Sequence, residues 1–204
     1  MRARSVFNLC EAKQESLQVQ RRSTDVLWGL ANGRPAVNCL HMPQPLAPGD
    51  LAPDFSAIAV GGPYRDGQTV TLSDFRGKTV VLYFYPKDDT PGCTAQACGL
   101  RDRYEPFLEA GATVFGISVD SPESHSKFIA KHNLPFPLIS DEGQRIVQDY
   151  GVWVEKNKEG RTYMGTERST FVIRPDGRIK SIFRSVKPEE HAETVIQNLR
   201  NFEP

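Results

Sequence analysis

Two cysteines five residues apart, Cys93 and Cys98, stand where an apolar run gives way to a helical pattern. Cys93 directly follows a Pro-Gly pair, so we expect it at the start of a helix, where free backbone N–H groups and the helix dipole favour thiolate over thiol. Thr90 can aim a hydroxyl into the same place, and Cys98 supplies a second thiol able to trap an oxidised first one. This spacing indicates thiol redox chemistry, with Cys93 as the nucleophile.

The elements that must position these residues are predicted from apolar runs and turn residues. Residues 79–85 are typical of a strand buried on both faces, and we expect one helix over residues 93–110, ended by Gly111. The same criteria predict strands over 68–72, 112–119, 168–174 and 178–184, and helices over 122–132, 143–150 and 188–202. The turn residues Pro175, Asp176 and Gly177 predict that the last two strands form a hairpin. The pattern predicts an α/β protein with a central mixed sheet flanked by helices, and the order of elements is that of a thioredoxin-like fold.

The composition favours one soluble domain without nucleic-acid or membrane partners. The chain has 204 residues, 39% of them hydrophobic and 25% charged, with a formal net charge of zero. A balanced charge gives no reason to expect nucleic acid or an anionic membrane as a partner. No apolar run approaches the roughly 18 residues that a spanning helix needs. No Gly-rich phosphate loop occurs in a strand-to-helix setting, so we expect no cofactor.

Four cysteines are too few for a disulfide scaffold in a chain of this length: Cys10, Cys39, Cys93 and Cys98. The amino terminus has no apolar segment of a secretory signal, which favours a reducing, cytoplasmic location. Cys93 and Cys98 lack the Cys-x-x-Cys spacing of thioredoxins and of many zinc sites, which argues against both. We assign no role to Cys10 or Cys39.

A composition shift near residue 42 divides the chain into an extension over residues 1–41 and a domain over residues 42–204. The extension has six basic against three acidic residues and no sustained periodicity. A plastid or mitochondrial transit peptide is one interpretation, but Glu11 and Asp25 weigh against it because such peptides avoid acids. We prefer a disordered extension or a misassigned start, with Met42 as the true first residue.

The segment around Cys93 also carries a family resemblance. The run FYPKDDTPGCTAQACGLRDR, residues 84–103, strongly resembles the active-site segment of peroxiredoxins of the bacterioferritin-comigratory or peroxiredoxin Q subfamily. Three further segments resemble the family in the same order: GDLAPDF at 49–55, GISVD at 116–120 and RSTFVI at 168–173. An ordered match of four parts, covering about residues 47–203, is far more specific than a single motif.

The resemblance implies a role for each matched residue. Cys93 would attack a hydroperoxide and become a sulfenic acid, and Arg168 would provide the fixed cation that favours its thiolate. Thr90 and the backbone N–H groups of Gly92 and Cys93 would orient the peroxide and stabilise the developing charge. Pro86 would shield the thiolate from bulk water. Cys98 places the chain among members that form an intramolecular disulfide, which an external dithiol such as thioredoxin would reduce.

Each of these residues also has a purely structural interpretation. Cys93 could be an inert, half-buried small residue, and Cys98 a core cysteine without a partner. Thr90 could only cap the helix, and Arg168 could form a surface ion pair with the neighbouring Glu167.

Two histidines share one face of a predicted helix. His125 and His132 lie seven residues apart, but no second cluster of ligands completes a metal site. We interpret both as solvated helix residues.

Helix geometry constrains the pair of cysteines. On a regular helix, Cα atoms five residues apart are roughly 8.7 Å from each other, whereas a disulfide needs about 4.4–6.8 Å. If Cys93 and Cys98 share a helix, its first turns must unwind before the disulfide forms. We therefore predict a folded form that reacts with peroxide and a locally unfolded form that holds the disulfide.

The predicted function is thiol-dependent peroxidase activity on hydrogen peroxide and organic hydroperoxides, in antioxidant defence and redox homeostasis. We expect a monomer, with a weak dimer as the alternative, by analogy with the family. A non-catalytic redox sensor or holdase, switched by oxidation of Cys93, is the alternative function, and a general disulfide reductase is a second.

Overall fold

The computed structural model describes residues 45–65, 67–158 and 160–201. The predictions for residues 1–41, the boundary at residue 42 and the cysteines Cys10 and Cys39 lie outside the described residues. Strands and helices follow one another in this order: β1 Ser56–Val60, β2 Gln68–Thr71, β3 Thr79–Phe84, α1 Pro91–Asp102, α2 Glu105–Glu109, β4 Ala112–Ser118, α3 Pro122–His132, β5 Leu138–Ser140, α4 Arg145–Asp149, β6 Trp153–Lys158, β7 Arg161–Thr166, β8 Ser169–Ile173, β9 Ile179–Phe183 and α5 His191–Arg200.

Seven strands form one mixed sheet in the order β2-β1-β5-β4-β3-β8-β9, and β6 pairs with β7 in a separate hairpin. Strands β3, β4 and β5 are parallel, whereas β8 runs antiparallel along the other side of β3. The predicted α/β architecture with a central mixed sheet is therefore confirmed. Among the described residues, no helix is long and apolar enough to cross a membrane.

Strand β3 lies at the centre of the core because apolar side chains cover both of its faces. All six of its residues are buried. Tyr83 packs in a cluster with Leu100 of α1 and Val195 of α5, whereas Leu82 and Phe84 pack in the cluster on the opposite face. Burying one such side chain contributes about 1.5–3 kcal/mol, so the strand that leads to Cys93 is firmly fixed.

A close approach between β3 and β4 explains one glycine. A Cβ atom on Gly116 would lie 2.5 Å from the hydroxyl oxygen of Tyr83 and 2.5 Å from a methyl carbon of Leu138. Only glycine leaves room for the Tyr83 ring at this point of the sheet.

The expected single helix over residues 93–110 is wrong. Helix α1 begins at Pro91 and ends at Asp102, and α2 begins only at Glu105. Pro106 explains the break, since it has no N–H to donate to the carbonyl of Asp102 and its ring would clash with that carbonyl. Gly111 follows α2 with a φ of 61°, the left-handed conformation expected of a residue that stops a helix.

The remaining predictions for the secondary structure are largely confirmed. Helix α3 has its predicted bounds, and β8 and β9 form the predicted hairpin. Helices α4 and α5 begin later than expected, at Arg145 and His191. The sequence analysis missed β1, the three-residue strand β5 and the β6–β7 hairpin.

Candidate active site

Cys93 is the third residue of α1 and is only 2% exposed. The backbone N–H of Thr94 donates to the carbonyl of Thr90 across 2.8 Å. The N–H groups of Gly92 and Cys93 precede this bond and therefore have no carbonyl partner within the helix. The thiol thus lies at the positive end of the helix dipole, as the sequence indicates.

Arg168 provides a cation directly at this sulfur. It immediately precedes β8, and its Nη2 atom donates to the Sγ of Cys93 across 3.3 Å. Its Nη1 atom donates to the Oε1 of Gln96, one turn further along α1. The planar guanidinium is therefore oriented by two acceptors, and its charge stabilises a thiolate at Cys93.

The alternative ion pair between Arg168 and Glu167 is wrong. The Glu167 carboxylate accepts from Arg184 across 3.1 Å and from the hydroxyls of Ser169 and Ser185. Partial burial opposes ionisation, but these donors hold the pKa of Glu167 below its usual value. With Glu167 engaged on the Arg184 side, Arg168 is free to bind the thiol.

A series of buried hydrogen bonds continues from Arg168 through Gln96 to His191 and Thr170. The Nε2 of Gln96 lies 3.0 Å from the Nδ1 of His191, and the Nε2 of His191 lies 2.7 Å from the Thr170 hydroxyl. Because Gln96 accepts from Arg168 through Oε1, its amide nitrogen must donate to His191. His191 then carries its proton on Nε2 and donates to Thr170.

His191 is fully buried and neutral. Burial, followed by the charge of Arg168, lowers its pKa to about 3. Sequence reasoning missed this chain of hydrogen bonds. Gln96 could have been found, since it lies three residues after Cys93 on the same helix face. His191 gave no signal, because only the fold brings α5 next to α1.

Thr90 occupies the residue before α1 but does not cap the helix with its side chain. Its hydroxyl donates to the carbonyl of Lys87 across 3.0 Å, which fixes the loop ahead of Cys93. The hydroxyl oxygen keeps lone pairs with which to accept from a peroxide. The structure therefore places Thr90 at the end of the loop that leads to Cys93.

Gly92 leaves space beside the cation. A Cβ atom there would lie 3.4 Å from the Nη2 of Arg168 and 3.6 Å from the Cγ of Pro188. A longer side chain would have to extend between these two groups. Pro86 is half-buried in the loop that follows β3, and its shielding of Cys93 stays a prediction.

A second cation near the site was also missed. Lys156, on β6, donates to the carbonyl of Thr166 across 2.6 Å. Burial, followed by the charge of Arg168, lowers the pKa of Lys156, whereas Glu167 and Cys93 raise it. These influences place Lys156 within electrostatic range of the thiol and of Arg168.

Cys98 lies on the same unbroken helix as Cys93, and both thiols are free. Cys98 is half-buried, and its sulfur lies 3.9 Å from the Nδ1 of His132 on α3. The arrangement meets the condition under which helix α1 must unwind before the two cysteines can bond.

The AhpC/TSA family model matches residues 48–182, which is more than half of the chain. The chain belongs to the AhpC/TSA family. Peroxiredoxin Bcp of Escherichia coli K12 is 46% identical over 157 residues, which are 77% of this chain and 97% of that protein.

Solved structures of peroxiredoxins show the same fold. A cysteine-to-serine mutant of Xylella fastidiosa PrxQ superposes with a TM-score of 0.70 at 35% identity, over 76% of this chain and 96% of that one. The bacterioferritin comigratory protein of Xanthomonas campestris, studied for alkyl peroxide reduction in trapped intermediate and ligand complexes, has a TM-score of 0.66 at 36% identity. That match covers 72% of this chain and 90% of the Xanthomonas chain.

These findings confirm the resemblance to Bcp and peroxiredoxin Q proteins and the thioredoxin-like fold. The protein is therefore a peroxiredoxin, a thiol-dependent peroxidase and an oxidoreductase.

The interpretation of both α3 histidines as solvated residues is wrong for this peroxiredoxin, since the His132 side chain is only 17% exposed and His125 is not exposed at all. His125 is fully buried, with Nδ1 2.8 Å from the Asp88 carboxylate and Nε2 3.2 Å from the carbonyl of Ile139. Burial raises the pKa of Asp88, but hydrogen bonds from His125, Tyr85 and Ser124 outweigh it and hold that pKa below its usual value. The apolar face of α3 packs on the sheet and takes His125 inward. No group of three or more metal-ligating side chains comes together in the described part of the chain.

Proposed function

We propose that Cys93 reduces hydrogen peroxide and organic hydroperoxides, that Cys98 resolves the resulting sulfenic acid, and that an external dithiol such as thioredoxin recycles the disulfide. The hydrogen bond from Arg168 to the Cys93 sulfur, at the start of α1, is the observation that carries the proposal. It combines a fixed cation, a helix dipole and free N–H groups around one sulfur.

In the first step, the Cys93 thiolate attacks one oxygen of the hydroperoxide. A sulfur–oxygen bond forms while the O–O bond breaks, so sulfur is oxidised to sulfenic acid and the peroxide is reduced. The leaving oxygen departs as water or alcohol once it has received a proton. In this proposal the N–H groups of Gly92 and Cys93, with the Arg168 guanidinium, stabilise the negative charge that shifts onto oxygen.

In the second step, Cys98 attacks the Cys93 sulfenic acid. The intact α1 helix holds the two residues too far apart, since Cα atoms at this spacing are about 8.7 Å from each other. The first turns of α1 therefore unwind, and a locally unfolded form holds the disulfide. Two free thiols on one helix support this cycle.

In the third step, thiol–disulfide exchange with an external dithiol restores both thiols. Thioredoxin is the proposed reductant, and a monomer in the cytoplasm, acting in antioxidant defence, is the proposed setting. A plastid location is the alternative if residues 1–41 are a transit peptide.

Steady-state peroxide consumption tests the proposal, with thioredoxin, thioredoxin reductase and NADPH as the reducing system. Wild type should turn over many times and Cys93→Ser not at all. Cys98→Ser should consume about one equivalent unless a small thiol recycles it. Consumption of only one equivalent by wild type would favour a redox sensor, and unchanged turnover in Cys98→Ser would remove that residue from the cycle.

A further inference from the structure

Cys98 belongs to a second group of side chains able to do chemistry, and the attack on peroxide does not use this group. The Sγ of Cys98 lies 3.9 Å from the Nδ1 of His132, and the Nε2 of His132 lies 3.2 Å from an Asp89 carboxylate oxygen. The imidazole thus contacts the thiol through one nitrogen and the carboxylate through the other, and the three groups lie on different elements: α3, α1 and the loop before α1. This order of groups is the one that activates nucleophiles in enzymes.

The imidazole of His132 is held in one orientation. The Phe128 ring packs against it edge to face, with 5.1 Å between ring centroids, and Phe128 is itself buried. A carboxylate only accepts hydrogen bonds, so the Nε2 of His132 donates to Asp89. When the ring is neutral, its Nδ1 carries no proton and lies toward the Cys98 thiol as an acceptor.

We propose that His132 is the base that takes the proton of Cys98 when this thiol attacks the Cys93 sulfenic acid, and that Asp89 orients His132 for this task. The inference rests on the proposed resolution by Cys98 and names the residues that drive it. The contact of 3.9 Å is long, as catalytic hydrogen bonds in resting enzymes often are before they tighten in the reacting state.

Helix α3 also holds both ends of the segment that must rearrange. On one side, the Nζ of Lys131 lies 2.6 Å and 2.8 Å from the two Asp89 oxygens. On the other side, the Nη1 of Arg101 donates to the carbonyl of His132 across 2.6 Å. Residues 90–97 can therefore unwind while Asp89 and the second half of α1 keep their contacts with α3.

Cys93 can reach Cys98 without moving the anchor at Asp89. Cys93 is only four residues beyond Asp89, and four extended residues span about 13 Å. Cys98 meanwhile stays beside His132. The base is therefore next to the attacking thiol in the locally unfolded form, which is the form that reacts.

The step balances as a condensation. The Cys98 sulfur bonds to the Cys93 sulfur, the S–O bond of the sulfenic acid breaks, and the proton of Cys98 passes through His132 to the leaving hydroxide, giving water. Cys98 is oxidised and the Cys93 sulfur is reduced by the same amount. The transient imidazolium lies at the carboxyl end of α3 and beside Asp89, two negative features that stabilise it.

A base matters here because thiols are weak nucleophiles until they lose a proton. A thiol with the ordinary pKa of about 8.5 is only a few per cent thiolate at pH 7. General base catalysis typically contributes about 10²–10⁴-fold. A base beside Cys98 therefore favours resolution over further oxidation of the sulfenic acid.

Single-turnover kinetics test this role. The reduced full-length protein receives one equivalent of hydrogen peroxide, and acid-quenched samples are alkylated and weighed by mass spectrometry to count disulfide and dimedone-trapped sulfenic acid. His132→Gln should form the disulfide about 10-fold or more slowly at pH 7 and accumulate sulfenic acid, with peroxide consumption in the first step unchanged. Asp89→Asn should show a smaller delay of the same step.

Lys131→Gln is the matched control. Lys131 shares Asp89 with His132 but does not contact the thiol, so its removal should leave the rate of disulfide formation within about 2-fold of wild type. The pH profile gives a second readout, which a merely structural role would not alter. In His132→Gln the rate should rise almost 10-fold per pH unit between pH 6 and 8, because hydroxide must now deprotonate the thiol, whereas the wild-type rate should rise less steeply.

The outcomes separate this inference from the proposed function. Absence of a Cys93–Cys98 disulfide in wild type would overturn the proposed resolution itself. A disulfide that forms at the same rate and with the same pH profile in wild type and His132→Gln would overturn the role of His132 alone. An equal delay in Lys131→Gln and His132→Gln would also overturn it, because anchoring of the loop would then explain the effect.

Discussion

Arg168 donates a hydrogen bond to the sulfur of Cys93 across 3.3 Å, although the two residues are 75 positions apart in the chain. Strand β8 pairs with β3, and β3 leads into the loop before α1, so the central sheet sets this distance. The Cys93 sulfur is buried among apolar groups, where an unpaired thiolate would be costly. The geometry thus makes Arg168 the main counter-charge for the thiolate that we propose at Cys93.

Replacement of Arg168 by methionine tests this dependence. Arg168→Met should slow peroxide reduction about 10²–10³-fold, the usual cost of removing one donor from a charged transition state. Stopped-flow measurement of peroxide consumption by the reduced protein gives the rate. Arg145→Met is the control, since Arg145 is an exposed residue of α4 whose guanidinium pairs with Asp149. A rate within 2-fold of wild type in Arg168→Met would remove the guanidinium from the site.

Gln96 should act through Arg168. Gln96→Met keeps the length of the side chain but removes the acceptor for Arg168 and the donor for His191. We expect peroxide reduction about 3–10-fold slower and a free energy of unfolding lower by about 1–3 kcal/mol, because buried groups lose their partners. Gln197→Met, at an exposed position of α5, is the control for both measurements. Loss of stability without loss of rate would leave Gln96 a purely structural residue.

His191 should make the protein sensitive to mild acid. The folded protein keeps His191 neutral down to a pKa of about 3, whereas the unfolded chain protonates it near 6.5. The unfolded state therefore binds more protons between these values, so the contribution of His191 to stability is complete above pH 6.5 and is lost as pH falls towards 3. From pH 7 to pH 5 the loss should be about 2 kcal/mol.

Urea unfolding at pH 7 and pH 5 measures this loss. The difference between the two pH values should be about 2 kcal/mol smaller in His191→Gln than in wild type, whatever the variant's stability at pH 7. An identical pH dependence in both proteins would show that His191 is accessible to protons in the folded state.

The unwinding of α1 should respond to helix propensity between the two cysteines. Ala95 is exposed on α1, so Ala95→Gly weakens the helix by about 1 kcal/mol without removing a core contact. Disulfide formation after one equivalent of peroxide should then be about 2–5-fold faster, as followed by mass spectrometry of alkylated samples. Gln197→Gly, an exposed change on α5, should have no such effect. An unchanged rate in Ala95→Gly would mean that unwinding does not limit resolution.

The sequence predicted those parts of the site that depend on local signals. Cys93 follows a buried strand and a Pro-Gly pair, and both features act within a few residues. The apolar run of β3 and the turn at Gly177 likewise predicted a strand and a hairpin that the structure shows. Arg168 was found only through the family resemblance, because nothing local distinguishes it from a solvated arginine.

The parts that the sequence could not predict depend on contacts between distant elements. His191 and Thr170 meet only because α5 packs against α1 and the sheet. His132 was interpreted as solvated because its seven-residue spacing from His125 says nothing about the loop that brings Asp89 to it. Pro106 was a sequence signal for the break in the long predicted helix. The prediction instead followed the apolar pattern on both sides of Pro106.

Placing both cysteines on the single helix α1 has a thermal consequence. Helices lose order on warming, so the population of the locally unfolded form, which closes the disulfide, rises with temperature. The population of the folded form, which attacks peroxide, falls. At low temperature the folded form predominates, so the lifetime of the Cys93 sulfenic acid before Cys98 attacks it is longer. This peroxiredoxin should therefore be most easily inactivated by excess peroxide at low temperature, where its fold is otherwise intact.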